Sequence, residues 1–153
     1  MLNQGATAPD FTLTDQHGNT VTLDSLLEKG PAVIYFYPAD FTPACTKEAC
    51  MIRDHHADLL AAGVAIAGIS PQPATKKAKF AEKYNLPFPL LADPGKKVTK
   101  SYDALGLLGL YTDRITYRIG TNKKVTHAVK ATLDVKAHEK LIETAINAAK
   151  QSA

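Results

Sequence analysis

Cysteine is scarce in this sequence: its 153 residues contain only two cysteines, Cys45 and Cys50. Two cysteines cannot build the multiple-disulfide framework that stabilises many small secreted domains. Their separation also differs from the Cys-x-x-Cys spacing of dithiols of the thioredoxin type. The sequence therefore predicts a protein of a reducing compartment, the cytoplasm, whose length allows an ordinary hydrophobic core.

The sequence also lacks segments that would direct it to a membrane or to nucleic acid. No apolar run approaches the roughly 20 residues of a membrane-spanning helix. Residues 1–5 show no basic region followed by an apolar one, so we expect no signal peptide. The formal net charge of +3 does not indicate nucleic acid binding without a clustered basic stripe. With no repeat or linker in view, we predict one domain over residues 1–153.

A buried strand followed by a helix is predicted around the two cysteines. The run Ala32–Tyr37 is apolar and rich in β-branched and aromatic residues, which is typical of a buried strand. Pro38 ends this strand. Thr42 is a favourable N-cap and Pro43 suits a first helical turn, and the periodic pattern from Cys45 to about Ala62 predicts the helix that follows.

The predicted helix start gives Cys45 a special environment. If Thr42 caps the helix, Cys45 lies at its third position, inside the first turn. The N–H groups of that turn have no partner within the helix, and the helix dipole adds partial positive charge there. Both effects favour the thiolate, which is the nucleophilic form of cysteine. The alternative is an inert cysteine buried in the core.

Cys50 cannot pair with Cys45 while the predicted helix is intact. Five residues rise about 7.5 Å and rotate by about 140°, which separates the two Cα atoms by roughly 8–9 Å. A disulfide needs Cα atoms within about 7 Å of each other. Either the two cysteines never pair, or the first turns of the helix unwind during turnover.

The remaining pattern predicts an α/β domain. Alternating residues around a polar turn, from Phe11 to Leu23, predict an N-terminal hairpin. A second apolar run at 64–70 follows the helix, and the two strands with that helix predict a parallel β-α-β unit. Further along, we predict a basic, solvent-facing helix at 75–84, a short strand near 90, a helix at 97–102, strands at 114–119 and 125–131, and an amphipathic final helix at 134–149.

These residues resemble a known family. The pattern Pro38-x-x-x-Thr42-x-x-Cys45 resembles the active-site signature of the peroxiredoxins. The extension Cys45-Thr-Lys-Glu48-Ala-Cys50 is similar to that of the bacterioferritin comigratory protein, or peroxiredoxin Q, branch. The resemblance covers nearly the whole chain, although Gly120 and Lys123 stand in a turn where the family usually has Asp and Gly. It implies a thioredoxin-like fold, in which helices flank a mixed central sheet with an N-terminal β-hairpin.

The resemblance also implies a function, that of a thiol peroxidase without metal, haem or flavin. Cys45 is then the peroxidatic nucleophile, which attacks the terminal oxygen of a hydroperoxide and becomes a sulfenic acid. Cys50 is the implied resolving cysteine, which forms an intramolecular disulfide after local unfolding of the helix.

Four further residues are implied in support of the nucleophile. The Thr42 hydroxyl would hold the thiolate and the peroxide, and Pro38 would shield the site from water. Arg114 would supply a permanent cation, and Glu48, one turn after the cysteine, would orient it through a charge-assisted pair. Arg118 lies on the same strand face, and we choose Arg114 because the family's arginine opens the strand.

The implied partners are a hydroperoxide substrate and a thioredoxin-like dithiol protein that restores both thiols. The branch favours a monomer. Two other functions stay open on the same fold: a thiol–disulfide oxidoreductase, against which the absent Cys-x-x-Cys argues, and a non-enzymatic binding module with an unactivated Cys45. Turnover on Cys45 alone is a mechanistic variant of the peroxidase, in which Cys50 is dispensable.

Overall fold

The computed structural model describes residues 1–152, except the side chains of Leu107 and of residues 150–152. Ala153 lies outside the described residues. In chain order the elements are β1 (Thr12–Thr14), β2 (Thr20–Thr22), α1 (Leu23–Leu26), β3 (Ala32–Phe36), α2 (Pro43–Ala61), β4 (Ala65–Ser70), α3 (Ala74–Tyr84), β5 (Leu90–Ala92), α4 (Lys97–Ser101), a 3-10 turn (Leu107–Gly109), β6 (Ile115–Ile119), β7 (Val125–Lys130) and α5 (Val135–Ser152).

The strands form one seven-stranded mixed sheet in the order β2-β1-β5-β4-β3-β6-β7. The central strand β3 runs parallel to β4 and antiparallel to β6. The predicted hairpin is present as the antiparallel pair β1–β2, which joins the sheet through β5. This arrangement confirms the predicted α/β class with a mixed central sheet and an N-terminal hairpin.

Helices and loops cover both faces of the sheet, which is why β3 is buried along its whole length. Successive side chains of a strand point to opposite faces. Val33 and Tyr35 therefore join the core formed with α2, α3 and α5. Ile34 and Phe36 join a second core, formed with the N-terminal segment, α1 and the residues around Tyr102. No helix within residues 1–152 is long and apolar enough to cross a membrane.

Two local predictions are corrected by the structure. Helix α2 begins after Thr42, as predicted, but the Thr42 side chain makes no capping hydrogen bond within the described residues. Its hydroxyl instead donates to the Ala39 carbonyl at 3.1 Å. Helix α3 is not solvent-facing at Lys77, whose side chain is fully buried, because Lys77 lies one turn before the buried Phe80 and Ala81.

Candidate active site

The pairing of β3 with β6 brings Arg114 close to Cys45. Strand β3 leads into the loop before α2, and its last residue, Phe36, pairs with Ile115, the first residue of the antiparallel strand β6. Arg114 directly precedes β6 and therefore lies at the end of the sheet from which the chain leaves β3 toward α2. A contact across 69 positions of sequence follows from this register, because the N-terminus of β6 meets the C-terminus of β3.

Cys45 lies in the first turn of α2 and is 1% exposed. With Pro43 as the first helical residue, it occupies the third position, as predicted. The Arg114 Nη2 group donates to the Cys45 Sγ at 3.1 Å. The sulfur thus faces a guanidinium as well as the positive end of a helix dipole, and both favour negative charge on it.

Arg114 is the centre of the contacts around the sulfur and is 4% exposed. Besides its bond to Cys45, its Nη1 donates to Glu48 Oε1 at 2.7 Å and its Nε donates to the Thr132 carbonyl at 2.9 Å. Burial acts to lower the pKa of Arg114, but Glu48 and Cys45 raise it above its usual value. Three directions of the planar guanidinium are therefore used, which fixes the cation against the sulfur.

Glu48 is fully buried rather than exposed on the helix surface. Burial raises the pKa of Glu48 from 4.5 to about 7, against the lowering effect of Arg114. Its second oxygen, Oε2, has no hydrogen-bond partner among the described residues. Oε2 lies 3.5 Å from His138 Nδ1.

The other predicted site residues lie at the rim. Pro38 is half-buried and Thr42 is exposed, and the Thr42 hydroxyl points to the Ala39 carbonyl. Arg118 shares a face of β6 with Arg114, but its Nη1 donates to Thr126 at 2.9 Å. The structure thus places Arg114, rather than Arg118, against the cysteine.

Cys50 lies five residues further along α2 and is half-buried. Both cysteines are free thiols, and α2 is continuous through both positions. The geometry of an intact helix keeps their Cα atoms roughly 8–9 Å apart. The two sulfurs cannot bond without unwinding of the helix.

A second buried ion pair, which the sequence analysis missed, supports the loop before α2. Lys77 Nζ lies 3.1 Å from Asp40 Oδ2, contacts Ser70 Oγ and stands 5.2 Å from the centre of the Tyr37 ring. The Tyr37 hydroxyl donates to Asp40 Oδ1 at 2.5 Å, and the Asp40 N–H donates to Gln72 Oε1 at 2.6 Å. Burial lowers the pKa of Lys77, and Asp40 opposes this shift.

His138 was also missed, and it lies behind Glu48. It is fully buried on α5, with Nδ1 at 2.7 Å from Thr116 Oγ1 and Nε2 at 2.8 Å from the Ala131 carbonyl oxygen. The available signal was its spacing from Leu141 and Ile142, which places it on the buried stripe of α5.

Among the described residues, one cluster has the composition of a metal site. His55, Glu139 and Glu143 offer ligand atoms within 4.8 Å of one another. His55 Nε2 already pairs with Glu139 Oε2 at 2.9 Å, and the cluster does not include either cysteine.

The profile of the AhpC/TSA family matches residues 4–128. The match covers most of the chain, including the cysteine motif and Arg114. The chain belongs to the AhpC/TSA family.

Its relatives place it in the peroxiredoxin Q, or bacterioferritin comigratory protein, branch, and this confirms the resemblance carried by the motif. Peroxiredoxin Q, chloroplastic, of Arabidopsis thaliana is 46% identical over 122 residues, which are 79% of this chain and 56% of that protein. The Oryza sativa subsp. japonica protein of the same name is 43% identical over 127 residues, 82% of this chain and 58% of that protein. The chain thus spans little more than half the length of these plant relatives.

Solved structures confirm the peroxiredoxin-type fold. Peroxidoxin BcpB from Mycobacterium tuberculosis superposes with a TM-score of 0.89 and 37% identity, covering 97% of this chain and 98% of that one. The bacterioferritin comigratory protein of Xanthomonas campestris superposes with a TM-score of 0.83 and 25% identity, covering 97% of each chain. The work on the latter structure concerned the alkyl peroxide reduction activity of that protein.

Proposed function

We propose that this protein is a thiol-dependent peroxidase that reduces hydrogen peroxide and organic hydroperoxides. The contact that carries the proposal is the 3.1 Å bond from Arg114 Nη2 to Cys45 Sγ in the first turn of α2. A buried cysteine with a permanent cation on its sulfur has the environment of an activated nucleophile rather than of a core thiol. The family and the alkyl peroxide reduction activity of the Xanthomonas campestris protein support the substrate class.

The proposed reaction begins with the Cys45 thiolate. Sγ attacks the terminal oxygen of the hydroperoxide, the S–O bond forms, the O–O bond breaks, and the sulfur becomes a sulfenic acid. The departing oxygen takes a proton and leaves as water or an alcohol. Arg114 stabilises the negative charge that moves from the sulfur to this oxygen, and Glu48 holds Arg114 in place through the 2.7 Å pair.

Thr42 and Pro38 act at the entrance of the site in this proposal. The Thr42 hydroxyl turns from the Ala39 carbonyl toward the bound peroxide, and Pro38 excludes water from the sulfur. Both residues lie on the loop that the Asp40–Lys77 pair anchors.

Cys50 then resolves the sulfenic acid. Its thiolate attacks Cys45 Sγ, the S–S bond forms and the S–O bond breaks, and the departing hydroxide takes a proton and leaves as water. Because α2 is continuous through both cysteines, this step requires local unwinding of the first turns, which open at low cost near a helix end. A thioredoxin-like dithiol protein restores both thiols by disulfide exchange. A cytoplasmic location and a monomeric state complete the proposal.

Mass spectrometry after one equivalent of hydrogen peroxide tests the proposal. We expect the reduced wild type to lose two hydrogens rapidly, and a sulfenic acid to be trapped at Cys45 in Cys50→Ser. Fast oxidation of Cys45 without an intramolecular disulfide would remove Cys50 from the mechanism and leave turnover on Cys45 alone.

The same samples separate the rival functions. A binding module predicts slow oxidation of Cys45 in both proteins, as for a free cysteine. A thiol–disulfide oxidoreductase predicts exchange with a small disulfide but no fast reaction with peroxide. Either result would overturn the peroxidase proposal.

A further inference from the structure

Glu48 uses only one of its two carboxyl oxygens in the contact with Arg114. Oε1 accepts from Arg114 Nη1 at 2.7 Å, whereas Oε2 is buried and has no hydrogen-bond partner among the described residues. A buried polar atom without a partner is costly and calls for a physical explanation. Oε2 faces His138 Nδ1 at 3.5 Å.

The contacts of His138 decide which of its ring nitrogens carries the proton. Nε2 lies 2.8 Å from the Ala131 carbonyl oxygen, which only accepts, so Nε2 carries the hydrogen. Burial lowers the pKa of His138, which keeps the ring neutral. Nδ1 is then an acceptor, and Thr116 Oγ1 donates to it at 2.7 Å. Glu48 Oε2 and His138 Nδ1 then face each other as two acceptors, and one further proton can bind between them.

Charge balance gives a reason for that proton. One cation, Arg114, contacts two groups that can be anionic, the Cys45 sulfur and the Glu48 carboxylate. All three are at most 4% exposed. With both anions present the buried site carries a net negative charge, which the protein interior disfavours. One proton on the Glu48–His138 side restores neutrality while the sulfur stays a thiolate.

We propose that Glu48 Oε2 and His138 Nδ1 form a buried proton-binding site, which is occupied while Cys45 is a thiolate and empties when Cys45 becomes a sulfenic acid. The proton lies on Oε2 and points toward Nδ1 of the neutral ring, 3.5 Å away, where it shares the Nδ1 lone pair with the Thr116 hydroxyl. His138 is in this view a positioning residue, because it acts on the sulfur only through Glu48 and Arg114. The inference rests on the proposed peroxidase reaction.

The oxidation step balances with this proton included. Thiolate attack on hydrogen peroxide forms the S–O bond, breaks the O–O bond and releases hydroxide. Sulfur is oxidised, and the peroxide oxygens are reduced. Loss of the thiolate charge releases the stored proton, which with the hydroxide makes one water. The step therefore exchanges no net proton with the solvent.

Other titratable groups surround the site from each neighbouring element. Arg114 faces it from β6, Cys45 from the same helix, and Asp134 acts on His138 from the segment before α5. The Tyr35 hydroxyl approaches from β3, where burial first and Glu48 second raise its pKa well above the usual value. Tyr35 therefore stays protonated in the neutral range and is not the group that exchanges a proton.

Proton counting during a single oxidation tests the inference. Reduced Cys50→Ser, which stops at the sulfenic acid, is mixed with one equivalent of hydrogen peroxide near neutral pH in weak buffer with a pH indicator. The thiolate content is measured at the same pH from its ultraviolet absorbance, with Cys45→Ser as the blank. We expect a thiolate that oxidises with almost no proton uptake, and about one proton more per oxidised Cys45 in Glu48→Gln/Cys50→Ser.

A matched control uses the exposed acid Glu143 on α5. Glu143→Gln/Cys50→Ser should give the proton count of Cys50→Ser. Equal proton uptake with and without the Glu48→Gln change would overturn the inference, and so would a protonated Cys45 thiol in the starting protein. Neither result would touch the peroxidase proposal, which fails only if Cys45 does not react with peroxide.

A second measurement needs no change at Glu48 or His138 and covers a misfolded Glu48→Gln. In Cys50→Ser with ¹⁵N-labelled histidine rings, the Nδ1 resonance of His138 should shift when Cys45 is oxidised. The exposed His127 ring should not shift. An unchanged His138 resonance would exclude it from the proton site.

Discussion

Two buried carboxylates, Asp40 and Glu48, lie on either side of Cys45 in the sequence, and each pairs with a distant cation. The two pairs differ in how many of their carboxylate oxygens accept a hydrogen bond. Asp40 accepts from Tyr37 on one oxygen and from Lys77 on the other. Glu48 accepts from Arg114 on Oε1, whereas its Oε2 has no hydrogen-bond partner among the described residues. Both carboxylates are at most 2% exposed, so burial alone does not distinguish the two pairs.

The two cations also differ in whether they contact the Cys45 sulfur. Lys77 is committed to Asp40, Ser70 and the Tyr37 ring, and its charge serves to hold the loop before α2. Arg114 divides its charge between Glu48 and the Cys45 sulfur. The Asp40–Lys77 pair, with both carboxylate oxygens bonded, holds the backbone of the loop in place. The Glu48–Arg114 pair leaves one carboxylate oxygen unbonded, and this oxygen can take up or release a proton when the charge on the Cys45 sulfur changes.

Lys77→Met should give the largest effect, and it should be on stability. Removing one partner of a buried pair leaves Asp40 without its cation and costs about 3–5 kcal/mol. Urea unfolding of the reduced protein measures this loss. Asp40→Asn/Lys77→Met should regain much of it, because the double change removes both charges.

The matched control for that change is Lys79→Met, since Lys79 is exposed on the same helix and should alter stability little. The rate at which Cys45 reacts with peroxide should stay close to wild type in the folded double variant. A large loss of rate with little loss of stability would assign the Asp40–Lys77 pair to the chemistry and undo the comparison.

Arg114→Met should act mainly on the reaction. Losing a preorganised donor and cation at the reacting atom should lower the rate constant for oxidation of Cys45 by about 10²–10³-fold. Stopped-flow oxidation by hydrogen peroxide measures it. Arg114→Lys should fall between the two proteins, because one ammonium cannot reproduce the bonds of the planar guanidinium to Cys45, Glu48 and Thr132.

Arg118→Met is the control for Arg114→Met, because Arg118 lies on the same face of β6 but binds Thr126. Its oxidation rate should remain within a few-fold of wild type. An equal loss of rate in both variants would show that a general positive field, rather than the Arg114 contact, activates the sulfur.

The Glu48 pair should also make stability depend on pH. Burial raises the folded-state pKa of Glu48 from 4.5 to about 7, so between these values the folded protein keeps a proton that the unfolded chain has lost. The free energy of unfolding should therefore fall as pH rises through this window, by about 3 kcal/mol relative to Glu48→Gln, and level off above pH 7.

Urea unfolding of wild type and Glu48→Gln across this pH window measures that difference. The same pair of proteins on a Cys45→Ser background assigns the step to the carboxyl rather than to the thiol. Parallel stability curves would mean that Arg114 keeps Glu48 ionised throughout, and both buried pairs would then be structural.

Much of this architecture follows from local sequence. Turn and cap chemistry around Pro38, Thr42 and Pro43 predicts where α2 begins, and the first-turn position of Cys45 follows from it. Alternation in β3 and β6 predicts which side chains share a face. The contact of Arg114 with Cys45 could be predicted only from the family resemblance, because strand periodicity places Arg114 and Arg118 on the same face.

The buried polar partners were not predicted, for a physical reason. Lys77 and His138 lie on helix faces whose neighbours are apolar, and composition favours treating a lysine-rich helix as solvent-facing. Their burial depends on partners distant in sequence, Asp40 for one and Thr116 for the other. Helical spacing against Phe80 and Leu141 was the signal that could have indicated both.

A change at Thr42 should have the smallest effect on stability. It therefore distinguishes a structural role of Thr42 in the loop from a role in the reaction at the sulfur. Its exposed hydroxyl bonds the Ala39 carbonyl instead of capping α2, so Thr42→Val should cost only about 0.5–1.5 kcal/mol of unfolding free energy. If the hydroxyl also orients peroxide, the oxidation rate of Cys45 should fall by at least roughly 10-fold. Thr42→Ser should keep the rate. A Thr42→Val protein with an unchanged oxidation rate would assign Thr42 to the loop that Lys77 anchors, and Arg114 would then be the one predicted side chain in direct polar contact with the sulfur.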